Sequence, residues 1–367
     1  MVTQRMVSLR LFLRIDYLLL LLALVLSLIG ALGAYSAETP GGPENTFVRQ
    51  LVWIGLGLCV CLAVAAVDYH LLTDYAFLLY IGAILMLLAV LLFGVEIHGS
   101  KSWLAVGPVR FQPSEFGKLV LILTLARYLA AIEGPSVRRR HFLAITLLTL
   151  VPMGLVILQG DLGTAAMYLP ILLAVILVAG LRLRFLVGLL ALMLGMAPAG
   201  WFVMKNYQRQ RILATLNPEL DPLGVGYQTR QSLIAIGSGG LFGKGIGQGD
   251  QSQLGFVPEI HSDFIFSLIA EEAGLVGASV ILLLYLLVLM RMVHIADVSR
   301  DRTGIFIIAG LVALIFSHVV VNLGMTLGLL PPIGIPLPLL SYGGSFTLVI
   351  FTAIGIALSA YSRRFVH

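Results

Sequence analysis

The sequence predicts an all-α, polytopic integral membrane protein. Three observations predict it: 59% hydrophobic residues with a mean hydropathy of +1.01, only 11% charged residues where soluble domains carry about 25%, and long apolar runs recurring along all 367 residues. The pI of about 9.3 and the net charge of +5 do not indicate a nucleic-acid partner, which would require a basic face on a water-soluble surface. Most basic residues instead stand at the ends of apolar runs, the pattern that orients membrane spans. A soluble enzyme is excluded on the same grounds.

A membrane helix needs about 20 apolar residues, and ten runs qualify. They lie near 16–36, 47–67, 74–94, 113–132, 142–159, 163–181, 185–204, 264–290, 304–322 and 344–361. The first, Tyr17 to Leu32 preceded by Arg5, Arg10 and Arg14, has the form of a signal sequence with small residues at Ala34-Tyr35-Ser36, and is read as an uncleaved anchor. The second holds the two cysteines, Cys59 and Cys61, which a helix turns to different sides, so they are read as packing residues and not as a disulfide or metal pair. The fifth and sixth runs are parted only by Gln159-Gly160-Asp161-Leu162-Gly163, which has room for a tight turn.

Charge keeps those two runs separate. With ten spans, the amino-terminal arginines, Arg138-Arg139-Arg140, Arg182, Arg184, Arg291, Arg300, Arg302 and Arg363-Arg364 all gather on one face, the cytoplasmic one, with both termini inside. The opposite face then holds 37–46 with its Pro40-Gly41-Gly42-Pro43 turn, 95–112, and the largest loop, about 205–263 between spans seven and eight. Within that loop Ser232-Leu233-Ile234-Ala235-Ile236 predicts a short helix at the interface. No repeat or soluble domain is evident, so residues 1–367 are expected to form one transmembrane domain.

Candidate functional residues concentrate on the outer side. Polar groups accumulate from Gln251 to Asp263 before the chain turns apolar at Phe264, leaving the Asp263 carboxylate where loop meets hydrocarbon. Lost hydration there raises a carboxyl pKa, which marks Asp263 as a reactive group. Arg49, Arg110, Lys118, Arg209, Arg211 and Lys244 run against the orientation bias, and together suit an anionic ligand at the outer leaflet, although each alone could snorkel or pair with an acid. Trp103, beside Arg110 in the same loop, joins them.

Glu115 and Lys118 share a helix face at spacing i, i+3 and read either as a structural ion pair or as functional intramembrane charges. Asp161 reads either as the cap of the sixth span or as a site residue. Gly243-Lys244-Gly245 lacks the spacing of a nucleotide loop, and the seven histidines show no metal-ligand spacing. Leu330 to Pro338, followed by Ser341-Tyr342-Gly343-Gly344-Ser345, cannot be regular helix, and is either an ordinary surface loop or broken backbone surrounded by protein or a watery cavity.

At these residues the chain resembles the SEDS (shape, elongation, division and sporulation) family. The resemblance is carried by Gln112-Pro113-Ser114-Glu115, Asp161-Leu162-Gly163-Thr164, Asp221-Pro222 with Gly226-Tyr227-Gln228, Gly237-Ser238-Gly239-Gly240 with Gly243-Lys244-Gly245, Pro258-Glu259 through Phe266, and Pro336-Leu337-Pro338 with Ser341-Tyr342-Gly343-Gly344. These motifs run in order from about 100 to 345. The resemblance implies a peptidoglycan glycosyltransferase that polymerises lipid II at the outer face of the cytoplasmic membrane beside a class B penicillin-binding protein. It also implies that Asp263 occupies the family's essential aspartate position, with Ser262 where threonine is more usual. The short tail fits the elongation branch better than the division branch.

The expected chemistry follows from that reaction. Asp263 would act as general base on a sugar hydroxyl, with inversion at the attacked carbon. Arg110, Lys118, Arg209, Arg211 and Lys244 would offset charge on the leaving diphosphate. Gln251, Gln253, Glu259, His261 and Ser262 would position sugars and Asp263. No cofactor is required, though the diphosphate could recruit a divalent cation such as Mg²⁺. A lipid II flippase and a non-catalytic scaffold are the rival readings, since many spans and intramembrane charges also suit a transporter.

Overall fold

The computed structural model describes residues 15–38, 45–97, 99–107, 109–132, 139–180, 201–202, 204, 206–216 and 224–364, with the single positions 188, 191 and 195. The expected seventh span, the turn at Pro40 to Pro43 and the amino-terminal arginines lie outside these residues, apart from isolated positions of that span.

Helix starts follow capping chemistry. Helix α1 (Tyr17–Ser36) begins where the Asp16 carboxylate accepts the Leu19 N–H at 3.0 Å, and α2 (Thr46–Ala66) where Asn45 accepts from Val48. After the short α3 (Tyr69–Asp74), capped by Asp68, comes α4 (Ala76–Phe93). Three strands follow, β1 (Val95–Ile97), β2 (Ser100–Val106) and β3 (Val109–Phe111), paired antiparallel in that order. Pro113 opens α5 (Pro113–Ala130), and α6 (Arg139–Leu158) precedes α7 (Leu162–Ala166) and α8 (Tyr168–Val178). The remaining helices are α9 (Asn206–Leu216), α10 (Val225–Ser238), α11 (Asp250–Gln253), α12 (Ile265–Val298), α13 (Arg302–Thr326) and α14 (Gly344–Ser362).

Among the described residues seven helices are long and apolar enough to cross a membrane: α1, α2, α4, α6, α12, α13 and α14. Helix α5 coincides with the expected fourth span but carries Glu115, Lys118 and Arg127, and α7 with α8 forms a shorter apolar stretch over the sixth. The three-stranded sheet amends the all-α expectation. Its turn glycines, Gly99 and Gly107, take left-handed φ, and the strands are too short to stand out beside 20-residue apolar runs.

The core is built around α14, most of whose residues are buried, with α2 packed closely along it. Helix α13 fills the other side against α5, α8 and α12. Leu78, Leu85, Leu92 and Phe93 of α4 remain exposed, the outward face of a span whose solvent is lipid.

Helix α12 runs for 34 residues, about 51 Å at 1.5 Å per residue, well beyond a bilayer core of about 30 Å. Gly274 breaks it (φ 66°, ψ −162°), a conformation open to glycine alone. The N–H groups freed at Leu275 and Val276 donate to Gly240 O and Leu241 O at 2.9 and 3.1 Å. In return Glu271 O and Glu272 O accept from Lys244 N and Gly245 N at 3.1 and 3.0 Å. The glycine-rich loop thus restores the backbone bonds that the break removes. The segment expected as a short interfacial helix, Ser232 to Ile236, instead belongs to α10 and packs against α12, its Ser232 hydroxyl buried and donating to Thr326 O.

Candidate functional site

Asp263 ends a tight turn held by one carbonyl. Glu259 adopts a left-handed φ of 53°, and its oxygen accepts the N–H groups of Ser262, Asp263 and Phe264 at 3.1 to 3.3 Å. Facing this turn is the proline-rich segment 330–341. Tyr342 N–H donates to His261 O at 2.9 Å, and the Ser341 hydroxyl donates to Ser262 O at 2.5 Å while accepting Leu337 N–H at 2.7 Å. Gly334 lies against the carboxylate, where a Cβ would stand 3.4 Å from Asp263 Oδ2. The left-handed non-glycine residues among those described are Glu259 and Leu339, one in each facing segment. Strained backbone of this kind persists where the surroundings over-determine it, as at functional sites. Of the two readings of the proline segment, broken backbone packed inside protein is the observed one.

Asp263 is partly exposed, so its carboxyl is desolvated without being sealed. Burial pushes it up to about 7, Glu259 adds to that shift, and Arg211 opposes it. Arg211 lies on α9 with its guanidinium 5.7 Å from the Tyr207 ring, and Tyr207 is anchored by its hydroxyl to Gly160 O at 2.8 Å. His261 meets Tyr342 edge to face at 5.5 Å, and Ser262 donates to the Glu259 carboxylate at 3.1 Å. Asp263, Glu259, His261, Ser262 and Arg211 therefore gather at one site.

Other candidates have different neighbours. Lys118 is fully buried and donates to Glu115 Oε1 at 2.8 Å, so its ammonium faces protein and not a ligand. It also lies 3.0 Å from His318 Nε2. An ammonium can only donate, so that nitrogen accepts and the His318 Nδ1–H donates to Pro336 O at 3.3 Å. Both oxygens of Asp161 are engaged, one by Thr164 N–H as the α7 cap and one by the Gln112 amide at 3.0 Å. Helix α7 borders the proline segment, since a Cβ on Gly163 would meet Ile333 O. Arg209 stacks at 5.9 Å on Trp201 and donates to Phe202 O. On the sheet, Trp103 pairs with Val95 and the exposed Arg110 with Ala105.

A second polar cluster holds Lys244, expected to offset diphosphate charge, together with Gln251 and Gln253, expected to position sugars. Glu271, fully buried on α12, accepts Gln251 N–H, Ser252 N–H and the Lys244 ammonium at 2.9 to 3.1 Å, and Lys244 also meets Asp250. Glu272 accepts from Ser36 and Gly247 N–H, and the Gln253 amide donates to Ser36 O at 2.6 Å. The lysine and glycines that resemble an anion-binding loop here serve carboxylates of the chain itself.

Sequence reasoning overlooked Glu271, Glu272, His318 and Asn322. Asn322 donates to Asp263 O and to Ile335 O, both at 2.8 Å. His318 and Asn322 stand four apart on one face of an apolar span, and that spacing was a usable signal.

Residues 10–364 match the family of cell cycle proteins that groups FtsW, RodA and SpoVE. The chain is 41% identical over 351 residues to the peptidoglycan glycosyltransferase MrdB of Escherichia coli strain K12, covering 95% of this chain and 94% of that protein. It is 34% identical to the peptidoglycan glycosyltransferase RodA of Treponema pallidum, covering 95% and 98%. Among solved structures, a chain of a peptidoglycan synthase complex, studied for the coordination of polymerization and crosslinking, superposes with a TM-score of 0.82 at 34% identity, covering 96% of this chain and 99% of that one. The rod shape determining protein RodA of Thermus thermophilus superposes with a TM-score of 0.72 at 32% identity, covering 96% and 98%. With the match running through nearly every described element, the chain belongs to the FtsW/RodA/SpoVE family, the one its motifs resembled.

Proposed function

We infer that this chain is a peptidoglycan glycosyltransferase of the cell membrane that polymerises lipid II into glycan strands during elongation, with Asp263 as general base. The observation that carries the reading is a partly exposed carboxyl with its pKa near 7, set between a strained turn and a proline loop. A carboxyl raised toward neutrality holds a proton better than an ordinary carboxylate and can accept one from an incoming sugar hydroxyl. Attack opposite the departing diphosphate inverts the anomeric centre. Arg211, whose charge is felt at Asp263, would offset charge on the diphosphate, and Arg110 stands exposed on β3.

In this reading the chain is one domain of ten spans with both termini cytoplasmic, and the 205–263 loop and Asp263 face the outer side, next to a class B penicillin-binding protein. The similarity to a chain of a peptidoglycan synthase complex supports that partnership. Among the described residues no three His, Cys, Asp or Glu side chains converge as a metal site. The diphosphate itself could recruit a divalent cation such as Mg²⁺, and no step here depends on it.

The test is purified protein in detergent with lipid II. Wild type should form polymer without a bilayer, while Asp263→Ala and Asp263→Asn should form none. Lipid movement in vesicles without polymer, surviving Asp263→Ala, would establish transport instead. An Asp263→Ala protein that keeps cell-shape function would establish a scaffold.

A further inference from the structure

Asn322 is buried on α13 and takes no part in the mechanism above, yet its amide spends both donors on the backbone of the site. One goes to Asp263 O and the other to Ile335 O, each at 2.8 Å. Ile335 adjoins Gly334, the residue against the Asp263 carboxylate. A second tie joins the same two segments: the Ser341 hydroxyl donates to Ser262 O and accepts Leu337 N–H. One turn before Asn322, His318 fixes the neighbouring carbonyl, Pro336 O. Two short irregular segments, neither regular secondary structure, are thus held in register by side chains from outside the turn.

We propose that Asn322 is a positioning residue for the polymerisation reaction, a two-donor clamp that holds the Asp263 turn against the proline segment, with Ser341 as the second fastening. The proposal rests on the reading of Asp263 as the base. The Asn322 side-chain oxygen is buried without a hydrogen-bond partner, a desolvation cost that a residue serving only to fill space would not incur, since leucine has the same shape without it. Loss of the clamp frees the turn from Gly334 and admits water to the carboxylate. The other ionisable groups around Asp263 are Glu259 and His261 on its own turn and Arg211 on α9, with Glu115, Lys118 and His318 behind Asn322. None of them is removed by the substitutions below.

The experiment compares Asn322→Leu, Asn322→Asp and Ser341→Ala with wild type and Asp263→Asn, each purified in detergent, checked for a single monodisperse species, and assayed for lipid II polymerisation across pH. A misplacement of about 1 Å at a reacting group costs about 10²-fold in rate. Both Asn322 variants should lose about that much kcat with KM held within about two-fold, and Ser341→Ala about ten-fold. In Asn322→Leu and Ser341→Ala the acid limb of the pH profile should move down by about one unit, because a hydrated carboxylate ionises more readily, whereas the carboxylate introduced by Asn322→Asp opposes that shift. A merely structural role would reduce folded protein and leave that limb in place, so reduced kcat with an unmoved limb in Asn322→Leu or Ser341→Ala overturns the proposal. Wild-type kcat in folded Asn322→Leu overturns it as well. If that variant fails to fold, Ser341→Ala is read by the same two criteria, and Asn322→Asp by kcat alone. Activity retained by Asp263→Asn would instead overturn the base assignment, independently of Asn322.

Discussion

Lys118 lies fully buried in the bundle, held there by the hydrogen bonds it donates to Glu115 and His318. Removing one member of such a group leaves the other uncompensated, at a cost of about 3–5 kcal/mol. Lys118→Met should therefore lower the thermal unfolding midpoint in detergent markedly, and adding Glu115→Gln should restore much of the loss. If the double variant is no more stable than the single one, the pair is not the source of the effect. Asp263 gives the pH dependence at this scale. Burial raises its carboxyl to about 7, and the base form is the deprotonated one. Polymerisation kcat/KM should hence fall as pH drops through about 7 and level off above it. The Glu115 and Lys118 spacing and the exposed position of Asp263 were legible in the sequence, because charges in an apolar run announce themselves. Asn322 and His318 left only their i, i+4 spacing as a signal, and their roles were not legible from it, since one amide or imidazole in an apolar helix reads as packing until its partner carbonyls are known.

At the scale of the element, α12 was legible as an apolar run but not as a broken helix, since a glycine among apolar residues does not reveal its φ. The break could be read only from what fills it. The positive-φ glycines of the 239–247 loop place its backbone against Glu271 and Glu272, and a Cβ on Gly243 would lie 2.0 Å from Glu272 O. Gly243→Ala must both strain the backbone and part the two segments, a cost of at least about 1–3 kcal/mol. It should lower the unfolding midpoint and open the loop to proteolysis near Lys244, whereas Gly247→Ala, with open space around its Cβ, should bear only the backbone penalty. The strands of 95–111 went unread for a related reason, as pairing across so short a hairpin depends on two glycine turns more than on any alternation of side chains.

On the scale of the whole molecule, the two ends of α2 carry different machinery. Near its start Gln50 donates to Ser341 O beside the site, and just past its end Val67 O accepts from Ser359 on α14. At that far end Asp68, His70, Asp301 and Arg363 join α3, α13 and α14. His70 lies 2.9 Å from Asp68 and 3.4 Å from Asp301, and Arg363 donates to Ala65 O and Ala66 O. Burial works against the imidazolium, but the two aspartates outweigh it and raise His70 to about 9. A raised histidine contributes stability that is complete below its unfolded value near 6.5 and disappears as pH climbs through about 9. The unfolding midpoint should therefore decline between pH 7 and 10, and His70→Gln should flatten that decline. The layering of apolar runs was readable from composition because lipid imposes one length on every span. The pinning of helix ends was not, because Asp68 and Asp301 are separated by most of the chain.

Residues 265–273 form a short rigid rod between Asp263 and the break at Gly274. At one tip sits Asp263, and near the other Glu271 and Glu272 grip the glycine-rich strap. A displacement of the strap is thus expected to carry along this helix to Asp263, as turning a key moves a bolt on the far side of a door. Glu271→Gln, at the strap end of the rod, should then slow turnover without weakening capture of lipid II.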